Sequence, residues 1–147
     1  MATVNIYLTF DGTCEKAFSF YQSVFGGNFT HLNRFNEMPQ DAGSNPLNEE
    51  DANKIMHITL PISEETCLMG SDTMGEWTSN LVRGNNFSIS INADSISEAN
   101  KLFDGLSDRG KVTMPMEETF WGAYFGMFTD KFGVNWMINH DIVPEDK

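Results

Sequence analysis

The sequence predicts an α+β fold of two tandem βαβββ modules, forming a cupped eight-stranded mixed sheet with helices on its outer face. Three observations predict it. Short runs alternate apolar and polar residues with period two, as half-buried strands do. Two segments carry apolar residues at helical spacing. The pattern also repeats: Asp11, Glu15, Phe20, Gly27 and Thr30 return 83 residues later as Asp94, Glu98, Phe103, Gly110 and Thr113. These matches fall at corresponding points of a strand–helix–strand order, so duplication explains them.

Residues 3–10 open the first module. Val4, Ile6, Leu8 and Phe10 fall on one face and Thr3, Asn5, Tyr7 and Thr9 on the other, which argues a strand. Asp11-Gly12-Thr13 breaks it. Ala17, Phe20, Tyr21, Val24 and Phe25 then mark a helix over 13–25, stopped by Gly26-Gly27, which accept the positive φ of a helix end. A strand over 28–36 follows. Residues 37–53, rich in Asp, Asn, Glu, Gly and Pro, read as a long surface loop. Over 54–62 alternation returns, with Met56, Ile58 and Leu60 facing one way and Ile55, His57 and Thr59 the other. A turn at Glu64-Glu65 and a strand over 66–71 complete the module at 1–72.

Residues 73–85 show little periodicity and read as a linker. The second module, 86–147, begins with a strand that sets Phe87, Ile89 and Ile91 inward and Ser88, Ser90 and Asn92 outward. Ser95 to Glu98 has capping-box spacing, and Ile96, Ala99, Phe103 and Leu106 give the next helix its stripe. Gly110 ends it, and a strand runs over 111–118. The stretch 117–139 is the most aromatic part of the chain. It reads as a core hairpin turning at Asp130-Lys131-Phe132-Gly133, where Asp starts a turn and Gly takes a positive φ.

At 147 residues the chain can build one domain with a core, or two small repeats sharing one. A hydrophobic content of 40% against 20% charged residues is globular. The net charge of −12 repels polyanions, which argues against nucleic acid and anionic membranes as partners. No apolar run is long enough to cross a membrane. The start lacks a basic segment before an apolar one, so the expected compartment is the cytoplasm. Cys14 and Cys67 read as free thiols.

Two curved sheets paired edge to edge would leave a trough lined by their polar strand faces: Asn5, Tyr7, Thr9, His57, Thr59, Ser88, Ser90 and Asn92. Trp121 and Phe125 would wall it and Met69 would pad it. Scattered polar groups among aromatic walls are the usual make-up of a small-molecule site. His57 is the foremost acid–base candidate. Glu118, beside Phe120-Trp121, is the second. The plainer readings are a hydrogen-bonded histidine lining a cavity and a glutamate at a strand end. Gly26-Gly27 follows a helix rather than opening one, so no dinucleotide or S-adenosylmethionine turn is present. No phosphate loop or zinc-type cysteine spacing occurs either.

Several motifs carry a family likeness. They are Tyr7-Leu8-Thr9-Phe10-Asp11-Gly12, Phe20-Tyr21-Gln22, Phe25-Gly26-Gly27, Met56-His57, Met69-Gly70-Ser71-Asp72 and Glu118-Thr119-Phe120-Trp121. The longest follows: Thr129-Asp130-Lys131-Phe132-Gly133-Val134 with Trp136-Met137-Ile138-Asn139. With the βαβββ duplication, they resemble the vicinal oxygen chelate superfamily of glyoxalase I, bleomycin-resistance proteins and extradiol dioxygenases, and within it the PhnB-like branch. The resemblance implies a homodimer. In the superfamily's enzymes it also implies a divalent metal held by His, Glu or Gln from the first and last strands of each module. Those positions here offer Asn5 and Tyr7, Leu68 and Met69, Ser88 and Ser90, Trp136 and Met137. None suits such an ion, so no metal or other cofactor is expected.

The resulting expectation is a metal-free protein that binds a small organic molecule in its trough. The alternative is a lyase-, isomerase- or dioxygenase-type enzyme using His57 and Glu118, with or without a metal. A third reading is an assembly module whose hairpin aromatics meet a partner.

Overall fold

In a computed structural model, residues 2–37 and 47–142 are described. The chain divides into two compact units, Met1–Val82 and Arg83–Lys147. The first contains β1 (Ile6–Phe10), α1 (Cys14–Phe25), β2 (His31–Arg34), α2 (Glu49–Asn53), β3 (Ile55–Pro61), β4 (Cys67–Asp72) and α3 (Glu76–Asn80). The second contains β5 (Ile89–Asn92), α4 (Ile96–Leu106), β6 (Lys111–Glu118), β7 (Ala123–Thr129) and β8 (Asn135–Asp141). Each unit builds a four-stranded mixed sheet, ordered β1-β4-β3-β2 in one and β5-β8-β7-β6 in the other. The first and last strands of each run parallel and the remaining pairs are antiparallel. The identical topology is the structural form of the sequence repeat.

Each main helix covers one face of its own sheet. On α1 the buried residues are Cys14, Ala17, Phe18 and Tyr21, an i, i+3, i+4, i+7 stripe. The expected stripe through Phe20 is displaced: Phe20 is half-buried and Phe18 takes the core position. On α4 the buried residues are Ala99, Leu102, Phe103 and Leu106, while Ile96 is only half-buried. Ser95 caps α4 by accepting from the Glu98 N–H at 3.0 Å, and the Glu98 carboxylate accepts from the Asp94 N–H. Both helices press an aromatic ring onto a strand glycine. A Cβ on Gly70 would lie 2.7 Å from the Phe18 ring and 2.8 Å from the Leu8 carbonyl oxygen. One on Gly126 would lie 2.8 Å from the Phe103 ring. At these two points only hydrogen fits between sheet and helix.

The hairpin follows the sequence reading closely. Gly133 has φ +89° and its N–H donates to the Asp130 carbonyl at 3.0 Å. The Asp130 carboxylate accepts from the Phe132 and Val134 N–H groups and from the indole of the fully buried Trp136. Asp72 plays a comparable role in the first unit. Its two oxygens accept N–H bonds from Gly12, Cys14 and Ile55 at 2.9–3.0 Å. One buried carboxylate thus fixes the turn into α1 and the start of β3.

Other expectations differ as well. Val4 and Phe87 were placed inward but are 86% and 63% exposed. The ladders begin only at Ile6 and Ile89, so neither residue has a strand beneath it. Ile55 was assigned to the face of His57, yet it is fully buried on the helix side. The register of β2 on β3 jumps from Asn33–His57 to Arg34–Ile55, so Met56 is an extra residue and the alternation changes phase across it. Of the loop expected over 37–53, residues 38–46 lie outside the described residues, and α2 occupies part of the rest. Asn48 caps it by accepting from the Asp51 N–H at 2.7 Å. Glu49, Glu50 and Asp51 fill its first turn, where the helix dipole favours acids. Residues 73–85, read as a linker, contain α3, which is too short to show a helical period.

Candidate functional site

The face of the first sheet turned away from α1 gathers most of the candidates. Cross-strand pairing sets Tyr7 beside Met69, Met69 beside Thr59, and Thr59 beside His31. A second row pairs Thr9 with Ser71 and Asn33 with His57; cross-strand partners share a face. The Tyr7 and His57 rings lie 5.8 Å apart between centroids, and those of His31 and His57 6.4 Å. His57 Nε2 is 2.9 Å from the Thr59 hydroxyl, and His31 Nδ1 is 3.3 Å from the Thr30 hydroxyl. A phenol, two imidazoles and hydroxyls therefore meet beside the Met69 thioether. This set can hydrogen-bond and stack against an organic ligand. Asn5 is placed differently: it lies before β1, and its side chain accepts from the Cys67 N–H at 3.0 Å, extending the β1–β4 pairing.

In the second unit, Ser90 pairs with Met137 and Asn92 with Asn139 on the face away from α4. Phe125 stands beside Asn139, and Glu117 beside Phe125. Asn139 Nδ2 donates to Asn92 Oδ1 at 3.1 Å and to Asp141 Oδ1 at 3.2 Å. Ser88 precedes β5 and is half-buried. The Trp121 ring lies 5.0 Å from that of Phe120 and 6.2 Å from that of Phe125, and Trp121 is 58% exposed. Glu118 pairs with Tyr124, whose hydroxyl donates to Asn100 of α4 at 2.7 Å. Glu118 is therefore exposed on the helix side of β6, and Glu117 is the carboxylate that shares the face of Phe125. Two register shifts in β6 hide this phase from the sequence.

The positions from which a superfamily metal would draw ligands hold Tyr7, Met69, Ser90 and Met137 on the outward faces. Leu68 and Trp136 are fully buried beneath them. Phenol, hydroxyl and thioether do not fit a hard or borderline divalent ion. Among the described residues no three His, Cys, Asp or Glu side chains stand together as a metal cluster. Cys14 is fully buried. Burial first, and then the charges of Asp72 and Glu15, push its thiol far above the usual range, which leaves it inert as a nucleophile. His31 and Asn33 join this face from β2, which is too short to show its alternation in the sequence, and Ser71 joins it from β4. Among the described residues no helix is long and apolar enough to cross a membrane.

The chain is similar to known proteins in sequence and in fold. Protein YjdN of Escherichia coli (strain K12) is 34% identical over 138 residues, 90% of this chain and 91% of that protein. The crystal structure of protein PA1353 from Pseudomonas aeruginosa is 38% identical and matches with a TM-score of 0.79, covering 96% of this chain and 98% of that one. The PhnB protein from Bacillus cereus is 22% identical with a TM-score of 0.73, over 95% and 99% of the two chains. At 11% identity and a TM-score of 0.62, the fold extends to a fosfomycin resistance protein from Listeria monocytogenes, described with Mn(II) and a dihydroxypropylphosphonic acid. That match covers 98% of this chain and 94% of the other. The superfamily's own sequence pattern matches residues 3–138. By topology and by sequence, the chain belongs to the Glyoxalase/Bleomycin resistance protein/Dioxygenase superfamily.

Proposed function

We propose that this protein binds a small organic molecule on the outward faces of its sheets, without a metal, and works as a homodimer. One observation carries the reading: Tyr7, His57, Thr59 and His31 are set side by side on one sheet face, next to Met69 where a metal enzyme of this superfamily would need a harder donor. In this reading Tyr7 and His57 bond the ligand's polar groups. On this face Thr9 adds a hydroxyl and Met69 adaptable apolar contact; on the outward face of the second sheet, taken by itself, Ser90 offers a hydroxyl and Phe125 and Trp121 apolar contact. The Mn(II) chemistry of the Listeria protein does not carry over, because Met69 and Met137 are poor ligands for that ion.

A metabolite screen by thermal shift, with and without EDTA, tests this. Hits should survive EDTA, and His57→Ala should weaken them roughly tenfold, the loss of one or two hydrogen bonds. Hits that vanish with EDTA, or that ignore His57→Ala, would overturn it. The short His57–Thr59 contact also favours a second reading, a metal-free enzyme with His57 as its base. Turnover of a screened hit, lost in His57→Ala and retained in EDTA, would select it.

A further inference from the structure

A separate hollow opens where β1 and β4 end. The Thr73 N–H donates to the Phe10 carbonyl at 2.7 Å, extending the strand pairing by one residue. Gly75, at φ +59°, then turns the chain into α3. The Thr73 and Thr78 hydroxyls, 3.0 Å apart, tie the short helix back to the strand end. The result is a cavity of about 600 Å³ lined by Thr9, Phe35, Ser71, Asp72, Thr73, Met74, Gly75, Glu76 and Trp77. That volume suits a small organic molecule.

Its chemistry is one-sided. Phe35, Met74 and Trp77 form the apolar wall, and Trp77 is 70% exposed. Thr9, Ser71 and Thr73 contribute hydroxyls. Glu76 supplies an exposed carboxylate, while that of Asp72 is turned to the N–H groups of Gly12, Cys14 and Ile55, and none of the nine residues is Lys, Arg or His. An anionic ligand would face the Glu76 carboxylate and a chain of net charge −12. An organic cation would instead gain the Glu76 carboxylate, the open indole face and long-range attraction.

We infer that this cavity is a binding site for an organic cation with a flat or compact apolar body, held between Trp77 and Phe35 with its charge toward Glu76. The site shares Thr9 with the proposed ligand face but does not need Tyr7 or His57, so the two ideas fail separately.

Proflavine, a planar aromatic cation, and anthracene-9-carboxylate, a planar aromatic anion, are suitable probes for fluorescence titration of the full chain. Proflavine should bind saturably at one per chain, and the anthracene acid should not bind over the same range. Trp77→Ala should weaken proflavine roughly tenfold, the scale of a desolvated cation–π contact. Glu76→Gln, on the exposed surface, should weaken it about threefold with a shallower salt dependence. Tyr7→Phe and His57→Ala should leave it unchanged. No saturable binding, equal binding of the two probes, or indifference to both Trp77→Ala and Glu76→Gln would overturn the inference. Loss in His57→Ala alone would also overturn it, while leaving the ligand face standing.

Discussion

Asp72 and Asp130 are both buried carboxylates, and each accepts three N–H bonds, one in either unit. The difference is reach. Asp72 bonds partners 60, 58 and 17 residues away in sequence, whereas the partners of Asp130 lie 2, 4 and 6 residues on. At the end of β8, the place corresponding to Asp72 in the second unit, stands His140. Its Nδ1 donates to the carbonyl of Ala93 at 2.9 Å. Duplication kept the topology and changed the fastening. In the first unit a carboxylate makes the long-range ties, whereas in the second the N–H bonds of Asp130 fasten a hairpin and a histidine reaches across the chain.

The largest expected effect tests that contrast. Asp72→Ala orphans three N–H groups, two of them at buried sites, and should lower stability by ~3–5 kcal/mol in urea unfolding. Asp130→Ala should cost roughly half as much, because two of its bonds are only partly buried and lie in a turn that water can re-solvate. An equal or larger loss for Asp130→Ala would break the comparison.

The two helix seats offer a smaller test. An added Cβ at Gly70 meets a ring and a backbone oxygen, which cannot move apart cheaply. At Gly126 the nearest atom is the Met116 sulfur at 2.6 Å, the end of a flexible side chain; the Phe103 ring follows at 2.8 Å, and the backbone oxygen, that of Met114, stands off at 3.1 Å. Gly70→Ala should therefore cost ~2–3 kcal/mol and Gly126→Ala ~1–2 kcal/mol, read from the same urea curves. The reverse order would show that Phe103, and not Phe18, is the less yielding contact.

The smallest effect is electrostatic and confined to the first unit. The Arg34 guanidinium bonds both oxygens of Glu15 at 2.6 and 3.0 Å and holds that carboxyl below its ordinary value of 4.5. A carboxyl held low in the folded chain stabilises above its unfolded value and loses that stabilisation as pH falls through the folded one. The pair is half-exposed, so Glu15→Gln should cost only ~0.5 kcal/mol at pH 7. The gap from the parent protein should close as the pH is taken well below 4.5. A gap that persists in acid would mean the side chain matters through packing.

Legibility in the sequence followed the same division. The hairpin around Asp130 was readable because its turn, its glycine and its aromatic strands are neighbours in the chain. The capping of α4 by Ser95 was readable for the same reason. Asp72 looked like a strand end, because its partners come from β3 and from the turn into α1. The position of His57 and Tyr7 on one face followed from period-two alternation. That rule failed one residue pair earlier, at Ile55, because a bulge leaves no local mark. It failed for Glu118 against Glu117 because β6 shifts register twice. Phe20 and Phe103 match in the repeat, yet only Phe103 is core, since α1 is phased by the docking of Cys14 next to Asp72.

At its extra residue, β3 is divided between two masters. On one side of Met56, Ile55 is locked by folding, its N–H held by Asp72 and its side chain sealed from water. On the other, His57 looks outward beside the Thr59 hydroxyl and the rings of Tyr7 and His31. Substitution at His57 can thus proceed with little strain on the interior. Taking out Met56 would join Ile55 directly to His57 as neighbours on opposite faces of a regular strand, so that division would survive the loss of the bulge.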